Sequence, residues 1–420
     1  MTIPPLPKAL VCEAELVASR ITNTLAELPV PDFAAGDYGA YSTRWHAQSL
    51  SKGAAGVAIL HGVRAQTGHG GWEPVHTWLR HATADTLNNN TGAGLWFGTP
   101  AVTHALTTAA PHAHPAALDR LDRAVADLAE RRLAAAEVRL AARRRPSLSE
   151  FDLVRGLTGL GAHLLTRQPD GVLLRRVLQY LVRLTEPVDT DDDIGRHAPG
   201  WWSADAANPD KPVPGGHANF GMAHGITGPL ALLALAMRHT IIVPGHGEAI
   251  GRICTWLDTW RQPGPAGPWW PEKITVADLR AGRPGVVGPA RPSWCYGTPG
   301  IVRAQQLAGI ALGDPARQQT AEDALSRCLA DPIQLGRIID PSLCHGWAGL
   351  AAMLWYAAAD ASSTTLSAHL PRILRLLIER AEDPAPERSG LIAGPAGVAL
   401  TLHTFATGTH LRWATSLLIK

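Results

Sequence analysis

Cysteine, phenylalanine and tyrosine are scarce in this chain of 420 residues, which has five of each. Five widely spaced cysteines do not make the framework of a disulfide-stapled secreted domain, so we expect a reducing, cytoplasmic location. Strand-like alternation of polar and apolar residues is also hard to find, which argues against a β-sheet protein. Alanine, leucine and glycine dominate instead, and hydrophobic residues make up 46% of the chain, as a large helical core requires.

Net charge and long apolar runs are missing as well. The 38 basic and 36 acidic residues leave a formal charge of +2, which gives no electrostatic reason to expect nucleic acid or an anionic membrane as a partner. The longest apolar helical stretch near the middle, 225–237, is too short to span a bilayer. The N-terminus lacks the charged and apolar regions of a signal peptide. We therefore expect a globular protein without an integral membrane segment.

A repeated glycine phrase is the main pattern that is present. Gly-x-x-Gly followed by an apolar run occurs six times, and a seventh copy has alanine in place of its second glycine. The first glycines of the seven copies are Gly53, Gly98, Gly156, Gly225, Gly297, Gly346 and Gly394. The segment after each phrase is apolar on nearly all sides, whereas the segment before it is amphipathic. A helix without a polar face must be buried all round, and an amphipathic helix faces solvent on one side.

Seven buried helices that alternate with seven half-exposed helices predict an all-α fold, an α/α toroid with an inner ring inside an outer ring. A row of seven repeats could instead form an open solenoid, but the apolar character of the inner helices favours closure. We expect residues 1–420 to form a single toroid domain. Long loops near 187–220 and 262–293 are expected over the mouth of the barrel, where a peptide could dock.

Chemically reactive residues stand at matching positions just before these glycines. Cys295 and Cys344 lie two positions before the first glycine of the fifth and sixth copies, and His224 and His345 lie one position before it in the fourth and sixth. In a closed ring these residues meet at the N-terminal ends of the inner helices. Two thiolates and one imidazole suit Zn²⁺ with an open fourth position, as in catalytic zinc sites. Inert core cysteine is the alternative, and the shared register favours zinc.

Three further residues near the expected metal each have two interpretations. His224 precedes an apolar helix, where histidine is often structural, but its place beside the metal favours a general acid/base role. Asp152 is either an active-site carboxylate or a helix cap. Arg291 either has a functional role, in which it orients a carboxylate or stabilises developing negative charge, or is an ordinary surface arginine. Three cysteines share no register and are interpreted as packing residues: Cys12, Cys254 and Cys328.

Four segments resemble the LanC-like lanthionine synthetase cyclases. They are F-D-L-V-R-G-L-T-G (151–159), N-F-G-M-A-H-G-I-T-G (219–228), R-P-S-W-C-Y-G-T-P-G (291–300) and C-H-G-W-A-G (344–349). The resemblance covers essentially the whole chain and implies an α/α toroid with one zinc ion per chain. It implies the zinc ligands Cys295, Cys344 and His345. It also implies active-site roles for His224, Asp152, Arg291, Trp294 and Tyr296, with His224 as the acid/base group.

The resemblance further implies a stand-alone cyclase that adds peptide cysteine thiols to dehydroalanine or dehydrobutyrine and so makes (methyl)lanthionine thioether rings. The substrate would be a dehydrated precursor peptide with a leader, supplied by a separate dehydratase in a complex that can associate peripherally with a membrane. Two alternatives stay open: addition of glutathione or another small thiol to dehydroamino acids, and a non-catalytic toroid that binds peptides. The intact Cys-Cys-His set beside Asp152 and His224 favours an enzyme.

Overall fold

The structure is a computed structural model that describes residues 3–27, 47–188, 194, 198–205, 212–381, 389–409 and 412–420. Within these ranges, the helices of ten residues or more are numbered α1 to α14 along the chain. The odd-numbered helices are α1 (Lys8–Thr24), α3 (Glu73–Ala82), α5 (Pro115–Ala141), α7 (Val172–Leu184), α9 (His246–Thr259), α11 (Pro315–Ala330) and α13 (Leu370–Arg380). The even-numbered helices are α2 (Ala54–Gln66), α4 (Thr99–Ala109), α6 (Leu157–Arg167), α8 (Thr227–Arg238), α10 (Thr298–Leu312), α12 (Trp347–Asp360) and α14 (Pro395–Thr407).

The even-numbered helices form an inner ring and the odd-numbered helices an outer ring. Each inner helix contacts the next along the chain, and α14 contacts α2, which closes the ring. Each inner helix also contacts an outer helix, and the first outer helix, α1, packs on the last inner helix, α14. The predicted all-α toroid of seven inner and seven outer helices is therefore confirmed, and the open solenoid is excluded.

The two rings differ in polarity as the sequence pattern predicts. In the inner helix α12, every residue from Trp347 to Ala358 is buried, so the helix has no solvent face. In the outer helix α7, the buried positions Leu174, Val177, Leu178 and Leu181 recur at helical spacing and form one apolar face. Among the described residues, no helix is both long enough and apolar enough to cross a membrane.

The second glycine of the repeated phrase lets the preceding turn press against the start of the inner helix. A Cβ atom on Gly349 would come within 2.0 Å of the carbonyl oxygen of Leu343, which a real side chain cannot do. The carbonyl group six residues earlier makes the same close approach in every copy that keeps this glycine: Gly56, Gly159, Gly228, Gly300, Gly349 and Gly397. The glycines therefore fix the turn that carries the residues just before each phrase.

Main-chain hydrogen bonds join these turns around the mouth, the end of the ring at which the inner helices begin. Among the described residues, carbonyl groups two positions before the first glycine accept six such bonds from the neighbouring copy, with N–O distances from 2.9 to 3.2 Å. The acceptors are Ser51, Trp96, Ala223, Cys295, Cys344 and Ile392. The bond from Ile392 to Ser51 joins the last copy to the first. This set of bonds, the hoop, holds the register-matched residues at one level.

The two segments expected to be long loops carry short elements where they are described. Strand β1 (His217–Asn219) pairs antiparallel with strand β2 (Lys273–Thr275), and β1 leads into the turn that carries His224. Thr275 caps the short helix Val276–Ala281 by accepting a hydrogen bond from the N–H of Asp278. Residues 189–193, 195–197 and 206–211 of the first segment lie outside the described residues.

The C-terminal segment fills the inside of the ring beneath the mouth. Its 3₁₀ turn, Arg412–Leu417, contacts α4 and α6, and Trp413 Nε1 donates a hydrogen bond to Thr404 Oγ1 of α14 at 3.1 Å. On the other side, Arg303 of α10 donates two hydrogen bonds to the carbonyl oxygen of Ile419, at 3.0 and 2.7 Å. Contacts with inner helices around the ring therefore place this segment in the lumen, beneath the mouth.

Candidate metal centre

Cys295, Cys344 and His345 come together where α10 and α12 begin. Their potential ligand atoms all lie within 4.8 Å of one another. The hoop brings this about directly, because the N–H of Cys295 donates to the carbonyl oxygen of Cys344 at 3.2 Å. The residues are thus close in space although they are distant in sequence, because adjacent copies of the repeat contact each other. Among the described residues, one cluster of three or more His, Cys, Asp or Glu side chains is compact enough to hold a metal ion, and it is this one.

The two thiols strongly affect each other's ionisation. Hydrogen bonding from Cys344 holds the pKa of Cys295 well below its usual range, although burial opposes the change, and His345 and Ser293 contribute in the same direction. The same pairing, together with burial, raises the pKa of Cys344. One proton therefore leaves the pair easily and the second does not, because two adjacent thiolates repel each other.

A cation between the two sulfur atoms would remove that repulsion, so the donor set fits a bound metal ion. Thiolate and imidazole are the ligands that zinc prefers, and three protein ligands leave a position open for substrate. The His345 side chain is 36% exposed, so the site is accessible from the mouth. The structure thus meets the chemical requirements of the zinc site expected from the sequence.

Asp340 adds a carboxylate that sequence reasoning missed. Its Oδ2 lies 3.4 Å from His345 Nε2, and its Oδ1 accepts a hydrogen bond from the N–H of Ser342 at 2.9 Å. Histidines that bind metal commonly donate their second ring nitrogen to a carboxylate, which fixes the tautomer and the ring orientation. The signal that could have found it is an aspartate close in sequence to a candidate ligand.

The other three cysteines lie apart from this centre. Cys254 and Cys328 are buried, and burial raises their pKa values, to about 11 and about 12. Cys328 Sγ also donates to Gln334 Oε1 at 3.4 Å. These two cysteines are packing residues, as the sequence predicts. Cys12 is exposed on α1, so the packing interpretation is wrong for that residue.

Asp152 and His224 form a hydrogen-bonded pair at the same mouth. Asp152 Oδ2 lies 2.7 Å from His224 Nδ1, and the carboxylate is almost fully buried while the ring is 30% exposed. The other oxygen, Oδ1, accepts hydrogen bonds from the N–H groups of Arg155 and Gly156 at 2.7 and 2.8 Å. Asp152 therefore holds the turn before α6 and is the partner of His224, but it is not the cap of that helix, whose N-cap is Gly156 without a side-chain hydrogen bond.

Two hoop bonds connect this pair to the metal centre. The N–H of Leu153 donates to Ala223 O at 3.1 Å, and the N–H of Met222 donates to Cys295 O at 3.0 Å. The turns that carry Asp152, His224 and Cys295 are therefore consecutive members of the hoop. The third to sixth copies of the glycine phrase thus carry the three predicted metal ligands and the Asp152–His224 pair.

The remaining predicted site residues have different surroundings. Arg291 has a buried Nε with no hydrogen-bond partner among the described residues, and its charge opposes the rise in the pKa of Cys344. The Tyr296 hydroxyl accepts a hydrogen bond from Asn219 Nδ2 at 3.1 Å, and burial raises its pKa. Trp294 is buried, and its Nε1 donates to Leu417 O at 3.0 Å. Trp294 thus contacts the C-terminal segment, and its predicted active-site role stays a prediction.

Comparison with known proteins identifies the family to which the chain belongs. The family described as lanthionine synthetase C-like protein matches residues 44–418. Nisin biosynthesis protein NisC from Lactococcus lactis subsp. lactis is 23% identical over 207 residues, which are 48% of this chain and 47% of that protein, so the chain matches about half the length of this curated relative. Among solved structures, nisin cyclase superposes with a TM-score of 0.76 and 18% identity over 98% of both chains, and so has the same fold. The family match extends over most of the chain, and the chain therefore belongs to the lanthionine synthetase C-like family.

Proposed function

We propose that this chain is a zinc-dependent lanthipeptide cyclase that joins peptide cysteine thiols to dehydroalanine or dehydrobutyrine. The observation that supports this best is the meeting of a Cys-Cys-His donor set with an Asp–His pair on adjoining turns of one mouth. Membership of the lanthionine synthetase C-like family points the same way. The chain would act as a single toroid domain, since α1 packs on α14.

Cys295, Cys344 and His345 would hold one zinc ion per chain through two thiolates and one imidazole. When bound, zinc supplies a positive charge that lowers the pKa of an incoming cysteine thiol and keeps it ionised. The two protein thiolates make the site rich in electrons, which suits a thiolate nucleophile better than a hydrolytic water. Asp340 would accept the Nε2–H of His345, so that Nδ1 carries the lone pair.

His224 would carry the proton through the reaction. Because Asp152 binds Nδ1, Nε2 is the nitrogen left to accept the proton of the peptide thiol. The sulfur then bonds to the β-carbon, and the electron pair of the carbon–carbon double bond moves onto the α-carbon and its carbonyl oxygen. His224, or a water that it orients, returns a proton to the α-carbon, which balances the addition. Asp152 would stabilise the protonated ring between the two transfers.

Arg291 would stabilise the negative charge that develops on the carbonyl oxygen. Its buried Nε lacks a partner, and its charge already acts on Cys344. Preorganised donors of this kind are effective because they need no reorganisation during the reaction. Tyr296, held by Asn219, would position the peptide, and Trp294 would support the turn that carries Cys295.

The substrate would be a dehydrated precursor peptide with a leader segment. A separate dehydratase would have to supply it, because the addition needs an activated double bond that serine and threonine lack. We propose that the chain works in the cytoplasm, where its cysteine ligands stay reduced, and that it can join a biosynthetic complex at a membrane.

Mass spectrometry with thiol alkylation tests this function most directly. The purified protein is mixed with a dehydrated candidate peptide, and free thiols are then alkylated at successive times. Cyclisation leaves the peptide mass unchanged while it removes thiols that can be alkylated, and this is the expected result. In a parallel reaction with glutathione, an increase in peptide mass would support the small-thiol alternative. Unchanged peptide thiols in the first reaction, together with an unchanged peptide mass in the glutathione reaction, would contradict both enzymatic functions if the protein holds stoichiometric zinc, and would leave a peptide-binding toroid.

A further inference from the structure

Four exposed aliphatic side chains lie in two segments beside the metal centre. Val286 and Val287 follow the helix Val276–Ala281, and their exposed fractions are 58% and 100%. Ile333 lies on the short helix Pro332–Leu335 and Ile339 lies just beyond it, with exposed fractions of 73% and 82%. We call these four residues the mouth rim.

A hydrogen bond from Arg337 Nη1 to the carbonyl oxygen of Pro289 ties the two segments together. Ile339 is two residues from Arg337, and Val287 is two residues from Pro289. The two halves of the mouth rim are therefore neighbours in space although they are distant in sequence.

Both segments lead directly into the site. Ile339 immediately precedes Asp340, whose carboxylate lies 3.4 Å from His345. After Pro289, the other segment reaches Arg291 and, four residues further on, Cys295 of the metal centre. The mouth rim therefore adjoins the metal centre and is open to solvent beside it.

Single exposed aliphatic residues are ordinary on protein surfaces, whereas clusters beside a site mark binding surfaces. The other exposed valines of the described residues fit the ordinary case: Val138 lies on the outer helix α5, and Val172 begins the outer helix α7. Neither is on a segment that leads to the metal centre. The mouth rim differs because four such residues lie on two linked segments at the edge of the site.

The proposed reaction supplies an occupant with matching chemistry. Dehydration of serine or threonine removes the hydroxyl group and leaves a flat, apolar side chain. A dehydrated peptide is therefore more apolar than its precursor at the very residues that react. We propose that the mouth rim binds dehydrated residues of the substrate peptide, so that the enzyme prefers a dehydrated peptide to its unmodified form. This inference rests on the proposed function.

The consequence is that binding itself selects peptide that has already been dehydrated. A peptide with intact serine and threonine residues would need to bury hydroxyl groups against Val287 and Ile339 without hydrogen-bond partners, which is unfavourable. Peptide that has not yet been dehydrated therefore does not compete strongly for the mouth.

Fluorescence anisotropy with two labelled peptides tests the mouth rim. The first peptide carries dehydroalanine and has its cysteine replaced by alanine, so it binds without reacting, and the second has serine in place of each dehydroalanine. For the zinc-loaded parent protein we expect the first peptide to bind at least about tenfold more tightly, since covering one or two aliphatic groups has roughly that effect. The Val287→Ser, Ile339→Ser double variant should lose this preference.

Two further variants make the result specific. A Val287→Thr, Ile339→Thr variant keeps the branched shape and should also lose the preference, which guards against a local change in folding. The matched control, Val138→Ser with Val172→Ser, removes exposed valines of similar accessibility from the outer ring and should keep it. Equal affinity of the parent for both peptides, or a preference that survives in both mouth-rim variants, overturns the proposal.

The binding test is independent of turnover. If the dehydrated peptide binds preferentially but the parent removes no thiol from a reactive peptide, the cyclase function fails and the mouth rim stands. If the parent cyclises and the mouth-rim variants show an unchanged KM, the mouth rim fails and the cyclase function stands. With both correct, the variants cyclise with a raised KM and a similar kcat, because uniform binding is lost and the chemistry is not.

Discussion

The mouth and the inside of the toroid are made by the same helices, but they hold their polar groups in opposite ways. At the mouth, His224 and His345 are 30% and 36% exposed, so polar side chains are open to a substrate. Inside the ring, the Arg303 side chain is fully buried and bonded to Asp360, Gln306 and the carbonyl oxygen of Ile419. The two mouth histidines are therefore accessible to a substrate, whereas the hydrogen bonds of Arg303 are all made to other groups of the protein.

Helix direction explains part of this difference. The inner helices present free N–H groups and a positive dipole end to the mouth, where the N–H groups of Arg155 and Gly156 at the start of α6 donate to the carboxylate of Asp152. Their C-terminal ends are negative and attract cations: Arg238, at the end of α8, pairs with Asp360, at the end of α12. Arg303 and Arg238 hold the pKa of Asp360 below its usual range although burial opposes this. Changes at the mouth should therefore alter chemistry, and changes inside the ring should alter stability.

The largest expected effect at the mouth is that of Cys344→Ala. Removing one of two thiolates should abolish tight zinc binding and cyclisation, while the helical circular dichroism spectrum is kept. Metal analysis of the purified variant, beside the thiol-alkylation time course, measures both. Cys328→Ala is the matched control, because Cys328 is buried far from the register: it should keep its zinc, with some loss of stability from the cavity. Stoichiometric zinc in a Cys295→Ala, Cys344→Ala double variant would disprove the assigned site.

His224→Ala separates proton transfer from metal binding at the mouth. The variant should keep its zinc and still bind peptide, but it should cyclise more slowly by about 10²- to 10⁴-fold, the usual contribution of general acid/base catalysis. Metal content and single-turnover cyclisation provide the measurement. Parental turnover would remove His224 from the reaction, and loss of zinc would make it a ligand.

Arg303→Met tests the inside of the ring. It leaves Ile419 O and Gln306 without their charged donor, although Asp360 keeps Arg238, so the free energy of unfolding should fall by about 3 kcal/mol. Denaturant unfolding measures this loss. Zinc content and turnover per folded molecule should not change. A variant with parental stability but impaired cyclisation would reverse the contrast between the two regions.

The smallest expected effect is that of Asp340→Asn. If Asp340 fixes the His345 ring, its loss should weaken zinc binding by about 10- to 100-fold without preventing it. Competition with a chromophoric chelator measures the affinity. Asp314→Asn is the control, since Asp314 caps α11 and asparagine serves equally well as a cap. Equal zinc affinity in both variants would limit Asp340 to a structural role.

Sequence patterns predicted the ring and its register because both depend on local features. An all-apolar helix such as α12 can only be buried, and a glycine such as Gly349 marks where the preceding turn closes on it. Once the copies are aligned, Cys295 and Cys344 fall at the same level without any knowledge of the backbone. The alignment shows only that these residues lie at the same level of their helices. Closure of the ring then brings them into contact.

The features that the sequence did not predict depend on contacts between distant segments. Nothing periodic in 412–420 indicates that this short segment lies inside the ring, because its position is decided by partners such as Thr404 and Arg303. The pairing of β1 with β2 and the contact of Asp340 with His345 are of the same kind. The exposed position of Cys12 was readable from the sequence, because the buried residues Leu10, Ala14, Val17 and Ile21 recur at helical spacing and leave Cys12 on the other face of α1.

The hoop has a consequence for how such a protein can diverge. Its bonds use only main-chain N–H and C=O groups, and serine, tryptophan, alanine, cysteine and isoleucine all occupy the acceptor position. Side chains at this level can therefore change without loss of the bonds that place them. A duplicated gene could move a ligand or a proton carrier from one copy to the next by point mutation, while the backbone that sets the distances between them stays as it was.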